Sequence, residues 1–123
     1  MAGVGVTLSV AALVFTACSS GPARTNVRLG TGDPAVGKRA LQHYGCGSCH
    51  TVPGVRGARA LVGPPLEHFS RRSYIAGRAA NTPENLARWI NNPQAVEPGT
   101  VMPNLGVTEE EARNIAAYLE SLA

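Results

Sequence analysis

The chain has 123 residues and a formal charge of +3 at pH 7, enough for one modest domain once any leader is removed. The basic residues are scattered and no base-reading motif is present, which argues against nucleic-acid binding. Three cysteines are an odd number, so an exported chain would keep one outside any pair.

Charge is unevenly placed. Between Thr51 and Thr100 stand Arg56, Arg59, Arg71, Arg72, Arg78 and Arg88, against Glu67, Glu84 and Glu97. Beyond Val101 the balance reverses, with Glu109, Glu110, Glu111 and Glu120 against Arg113. This pattern reads either as ordinary solvated surface or as a basic rim that steers an acidic partner at salt-sensitive on-rates.

Residues 1–23 carry no charged side chain, and Val4 to Ala17 is an apolar run of 14 broken only by Gly5, Thr7, Ser9 and Thr16. Such a run is short for a membrane span and suits a signal-peptide core. It ends in Phe15-Thr16-Ala17-Cys18, which resembles a bacterial lipobox, although Phe15 replaces the usual leucine and no Lys or Arg precedes the core. The resemblance implies a lipoprotein-type signal peptide over 1–17 and acylation of Cys18, leaving the remaining cysteines as a pair. Acyl chains there would hold the protein at a membrane surface. An uncleaved anchor over residues 2–23 and ordinary signal cleavage are the alternatives. Residues 18–32, rich in Gly, Ser, Pro and Thr, read as a flexible tether, and 33–123 as the domain.

Asp33-Pro34 is a helix start, an N-cap acceptor followed by proline at the first helical position. Val36, Ala40, Leu41 and Tyr44 recur at helical spacing, which predicts a helix to about Tyr44, ended by Gly45. Next comes Cys46-Gly47-Ser48-Cys49-His50, the pattern of covalent haem attachment. Each thiol can add across one porphyrin vinyl group, and the adjacent imidazole then lies under the ring as proximal ligand. Small residues at Gly47 and Ser48 would let the backbone lie close to the macrocycle. A redox dithiol would want a βαβ pattern, which is not visible, and a zinc site would need His43 and His68 to complete it. Both of those histidines read as partly exposed side chains that ligate nothing.

Thr51 to Leu61 reads as loop, and Gly63-Pro64-Pro65-Leu66 as a rigid extended segment whose carbonyls are free to accept. If His50 binds iron through one nitrogen, its other N–H needs such an acceptor. Arg71-Arg72-Ser73-Tyr74 offers donors suited to haem propionates, or a solvated turn. Thr82-Pro83-Glu84 repeats the cap-and-proline start, Leu86, Trp89 and Ile90 form an inner stripe, and Pro93 stops that helix. In the proline-flanked loop Val96 to Pro103, Met102 is either a stray apolar residue or a soft ligand on the open side of the iron. Thr108 to Glu111 is a capping box, and Ala112, Ile115, Ala116, Leu119 and Leu122 form one apolar face of a last helix. Gly37 and Ala116 are small enough to let the first and last helices cross closely. No strand signal is visible in the domain.

Over about ninety residues, Asp33 to Leu122, the chain resembles class I cytochromes c. The resemblance rests on Cys46-Gly47-Ser48-Cys49-His50, Gly63-Pro64-Pro65-Leu66 and Pro98-Gly99-Thr100-Val101-Met102-Pro103, in that order. It implies an all-α fold of three or more helices around one haem c, bound covalently at Cys46 and Cys49, with His50 and Met102 axial. It further implies that the Pro64 carbonyl accepts from His50 and that Trp89 stands on the methionine side. Thr100 and either Arg71 or Arg72 would meet the propionates, and Gly37, Leu41, Ile115 and Tyr118 would form the helix crossing. Asn81 to Leu119 also resembles the haem domain attached to subunit II of some bacterial terminal oxidases, and small membrane-anchored cytochromes that accompany them.

The function so implied is a one-electron carrier rather than an enzyme, working at the periplasmic or extracytoplasmic face of a bacterial membrane. Its partners would be a quinol-oxidising complex or other donor, and a terminal oxidase or other acceptor. The rivals are a haem enzyme or gas sensor with a labile Met102, and a copper-handling lipoprotein using Cys46, Cys49 and Met102.

Overall fold

A computed structural model describes residues 1, 3 and 32–123 of the protein. Cys18, the expected leader cleavage point and nearly all of the tether lie outside the described residues. No described helix is long and apolar enough to cross a membrane.

Three helices start where cap and proline chemistry directs. In α1 (Pro34–His43) the Asp33 carboxylate accepts from the N–H groups of Ala35 and Val36, at 2.8 and 3.2 Å. The helix closes on Tyr44, and Gly45 turns the chain at φ 68°, in the left-handed region that favours glycine. In α2 (Pro83–Asn91) the Thr82 hydroxyl accepts from Asn85 N–H at 3.2 Å. Pro93 does not simply stop this helix. Asn92 ends α2 and also caps a further short helix, α3 (Pro93–Val96), accepting from Ala95 N–H at 3.3 Å. Proline is well suited to that first position, where its missing N–H costs no helical bond.

The last helix, α4 (Glu109–Glu120), opens on a complete capping box between Thr108 and Glu111. Glu111 also accepts from the Tyr44 hydroxyl at 2.7 Å, tying the end of α1 to the start of α4. The Thr108 and Tyr44 hydroxyls together hold the Glu111 carboxyl below its ordinary range, and the same bond raises the Tyr44 phenol.

The core lies where α4 packs against both α1 and α2, with Leu41, Leu86 and Ile115 almost fully enclosed. One residue of α4 does two things at the α1 contact. The buried Asn114 accepts from the Asp33 N–H through its side chain at 2.8 Å. Its backbone carbonyl also lies so close to Gly37 that a Cβ there would sit 1.9 Å from the oxygen. At Gly37 the two helices therefore meet backbone to backbone, and the small residues Ala112 and Ala116 of α4 are fully buried elsewhere on that helix. At the other end of α4, the Tyr118 hydroxyl donates to the Pro53 carbonyl at 2.6 Å.

The architecture is all-helical, with a small addition that the periodicity does not reveal. Strands β1 (Tyr74–Ile75) and β2 (Ala79–Ala80) form an antiparallel hairpin with Tyr74 opposite Ala80 and Ile75 opposite Ala79. Three residues, Ala76-Gly77-Arg78, connect the strands, and the first two have φ of 50° and 69°, the positive values that primed turns require. Strands of two residues are too short to show alternation. An isolated bridge between Thr51 and Arg59 similarly closes part of the region read as loop.

Gly37→Ala is expected to lower stability by about 3 kcal/mol, the upper end for forced overpacking. Urea unfolding measures this, and a loss below about 0.5 kcal/mol, the range of an ordinary surface change, would show that α1 and α4 are not in contact there.

Candidate functional site

The Cys46–His50 stretch is wound by its own backbone. Cys46–Ser48 forms a 3-10 turn directly after Gly45, and the Cys46 carbonyl accepts from the N–H groups of Cys49 (3.2 Å) and His50 (3.0 Å). Such a turn gathers the two thiols and the imidazole on one short loop. Neither cysteine is in a disulfide, and both are half-buried. Burial pushes the Cys46 thiol above its ordinary value, and the neighbouring Cys49 adds to the shift. The structure shows one reason for a small residue at Gly47. A Cβ there would lie 2.7 Å from the Ala58 side chain, and Gly47 and Ser48 border a separate, smaller cleft.

The Gly63-Pro64-Pro65-Leu66 segment is strapped alongside this loop. Its prolines cannot donate, so only its two ends do: Gly63 N–H to the Cys49 carbonyl at 2.7 Å, and Leu66 N–H to the Thr51 carbonyl at 2.8 Å. These bonds fall on either side of His50. Between them the Pro64 carbonyl lies 2.7 Å from His50 Nδ1. A carbonyl only accepts, so Nδ1 carries the proton and Nε2 keeps its lone pair for a metal. Gly63 leaves room for the ring, since a Cβ there would stand 2.4 Å from His50 Cε1. The next carbonyl, of Pro65, accepts from the Arg72 guanidinium, which also lies over the Phe69 ring at 4.8 Å.

The methionine loop is held from within. Thr100 N–H donates to the Glu97 carbonyl at 3.1 Å, and Met102 N–H to the Thr100 hydroxyl at 3.3 Å. The side-chain amide of Gln94, the second residue of α3, donates to the Met102 carbonyl at 2.7 Å.

These pieces enclose one cavity of about 520 Å³, a size typical of cofactor clefts, which run to roughly 300–1,000 Å³. Its lining is mainly aliphatic and aromatic, with Leu41, Leu66, Phe69, Leu86, Ile90 and Ile115 contributing from the core. Cys46, Cys49, His50, Pro64, Arg72, Trp89, Thr100 and Met102 all border it. Arg71 does not; it ends the 3-10 turn Phe69–Arg71 and is exposed. His43 and His68 are exposed and also lie off the cavity, His43 edge-on to the Tyr44 ring and His68 bonded through Nδ1 to the Ala123 carbonyl at 2.6 Å. Sequence reasoning assigned no role to Gln94, Arg78 or Glu97, and it named Gly63 only as part of Gly63-Pro64-Pro65-Leu66. Gly63 alone carried a signal, as a glycine flanking two prolines.

Two thiols, an imidazole with its tautomer set, a thioether and a large apolar enclosure suit a covalently held porphyrin. Among the described residues no group of three or more His, Cys, Asp or Glu side chains is placed to hold a metal ion.

Fold and cleft thus define a small helical haem-binding domain. A family model described as Cytochrome c matches residues 35–123. Among similar proteins, cytochrome c2 of Rhodopila globiformis is 35% identical over 105 residues, covering 74% of this chain and 94% of that protein. The cytochrome c-type cyt cy of Rhodobacter capsulatus is 31% identical over 105 residues, covering 75% of this chain and 50% of that one. Cytochrome c oxidase subunit 2 of Alkalihalophilus pseudofirmus is 38% identical over 87 residues, covering 70% of this chain. The match spans only 25% of that subunit's length. The chain belongs to the cytochrome c family, in its class I form, whose members bind haem c.

Gly63→Ala is expected to displace the His50 ring and reduce the yield of haem-bearing protein several-fold. Haem-stained denaturing gels measure this, and an undiminished yield would show that the ring is not confined at Gly63.

Proposed function

We propose that this chain is a membrane-tethered one-electron carrier holding a single haem c. The observation that carries this reading is that Cys46, Cys49, His50 and Met102, 56 positions apart at the extremes, border one apolar cavity. Bound there through Cys46 and Cys49, the haem would supply a ferric/ferrous couple.

The chain's own residues do the rest. His50 and Met102 would both ligate the iron of the bound haem, which would leave no open site for a substrate and make the protein a carrier rather than a substrate-level enzyme. A thioether ligand raises the potential relative to a second histidine. The Pro64 carbonyl holds the His50 ring and adds to its basicity. Trp89 and the core aliphatics exclude water, while Arg72 and Thr100 would meet the propionates. Arg72 is the better placed of the two adjacent arginines, because it borders the cavity and Arg71 does not.

The family relationship supports an extracytoplasmic carrier, and the oxidase-subunit relatives support a terminal oxidase as acceptor. A quinol-oxidising complex or another respiratory donor would supply the electron. Acyl chains on Cys18 and the tether 18–32 would let the domain 33–123 swing between the two at a bacterial membrane surface.

Met102→Ala is expected to abolish the near-infrared methionine-to-iron charge-transfer band and to lower the potential by a fraction of the roughly 0.8 V that axial ligands span. Rapid carbon monoxide binding should appear on reduction. A spectrum identical to the parent's would rule Met102 out as ligand. Cys18→Ser should release the protein from membranes into the soluble fraction; retention would point to an uncleaved anchor instead.

A further inference from the structure

Two ion pairs are present among the described residues, and they differ in kind. Arg113 and Glu109 stand 3.9 Å apart one turn along α4, a local surface pair. The other joins Arg78 to Glu97, 19 residues apart, from the β1–β2 hairpin to the segment leaving α3. Both members of this second pair border the cavity. The contact is a two-pronged one: Arg78 Nη2 donates to Glu97 Oε1 at 2.9 Å, and Nε meets Oε2.

From the observed geometry we infer that Arg78 and Glu97 are positioning residues which latch the methionine loop to the hairpin across the cavity rim. This inference rests on the reading of Met102 as the sixth ligand.

On the hairpin side, Arg78 is placed by a rigid device. It follows the Ala76-Gly77 turn, and its N–H closes that turn on the Ile75 carbonyl at 2.9 Å. On the loop side, Glu97 is the first link in a short relay. Its side chain takes the guanidinium, and its backbone carbonyl takes Thr100 N–H at 3.1 Å. The Thr100 hydroxyl in turn takes Met102 N–H at 3.3 Å. Moving Glu97 therefore moves the turn that presents Met102. Gln94 holds the Met102 carbonyl from α3, yet it belongs to the same segment as Glu97 and cannot join that segment to the hairpin. Among the described side-chain hydrogen bonds and ion pairs, Arg78–Glu97 alone makes that join.

The pair's energy is modest, because the Arg78 side chain is 64% exposed while that of Glu97 is 24% exposed. A bidentate guanidinium–carboxylate contact is the strongest form such a pair takes. Its effect is concentrated on local opening of one loop, which costs far less than global unfolding, so a small contribution changes the open population visibly. Pairing also keeps the Glu97 carboxylate neutralised at the rim of an apolar cavity, where a lone charge would be costly.

The test uses the oxidised, haem-loaded protein and imidazole as a competing ligand. Arg78→Gln and Glu97→Gln should each raise the apparent imidazole affinity roughly two- to fivefold, the range that an exposed pair contributes. In both variants the methionine charge-transfer band should fade at lower urea than in the parent, while the global unfolding midpoint stays within error. The swap Arg78→Glu with Glu97→Arg should restore the parent's imidazole affinity. Unchanged affinity in both single variants would overturn the latch. So would a change that the swap fails to restore, because the side chains would then act separately. A parent protein lacking the charge-transfer band and taking up imidazole freely would overturn the ligand reading, and the latch with it.

Discussion

The contact between Gly37 of α1 and the backbone of Asn114 in α4 is the constraint on which the described structure depends. There is no space for a methyl group between them, and the Asn114 side chain fastens the start of α1 through the Asp33 N–H at 2.8 Å. Two helices that meet this closely leave little freedom in how either one exits. The end of α1 is fixed again by Tyr44 on Glu111, and the chain then enters Cys46–His50 directly through Gly45. The position of the attachment loop therefore follows from a helix contact made nine residues earlier. The same α4 packs against α2, which brings Trp89 and Ile90 to the cavity.

Around the cavity the chain is mostly irregular, and it is held by carbonyls rather than by repeating structure. Proline-rich segments cannot bond to themselves, so their acceptors stay available: Pro53 for Tyr118, Pro64 for His50 and Pro65 for Arg72. The methionine loop works alike, with Thr100 and Gln94 satisfying the backbone of Met102 from short range. Loops built this way present side chains to a cavity at a fixed register without needing a sheet. They also open locally at low cost, which is where an ion pair at the rim acquires influence.

Three of the four α-helices were legible because each begins with a chemically explicit cap: Asp33-Pro34, Thr82-Pro83 and Thr108 with Glu111. The fourth, α3, was hidden because a proline after a helical stripe reads as a stop, and only the Asn92 cap reveals a restart. The hairpin was hidden by its length. Asn114 was invisible because a polar residue on an apolar face ordinarily signals solvent, whereas here its partner comes from a backbone N–H 81 residues away. The site motifs were legible because their chemistry is local, five residues for the attachment loop and four for the proline segment. What joins them was not, since Arg78 with Glu97, and Gly63 under the His50 ring, depend on tertiary proximity that no local pattern encodes. Arg71 and Arg72 were indistinguishable in sequence for a similar reason. Where the 3-10 turn ends decides which arginine borders the cavity: Arg71 closes the turn, and Arg72, in extended backbone after it, is the one on the lining.

The claim that most needs testing is that Cys46 and Cys49 anchor one haem in this cavity. Intact-mass measurement of protein matured in a host with covalent haem-attachment machinery tests it directly. The expected result is a chain carrying the mass of one haem, with both thiols resistant to alkylation. An unmodified chain with Cys46 and Cys49 both open to alkylation would contradict it.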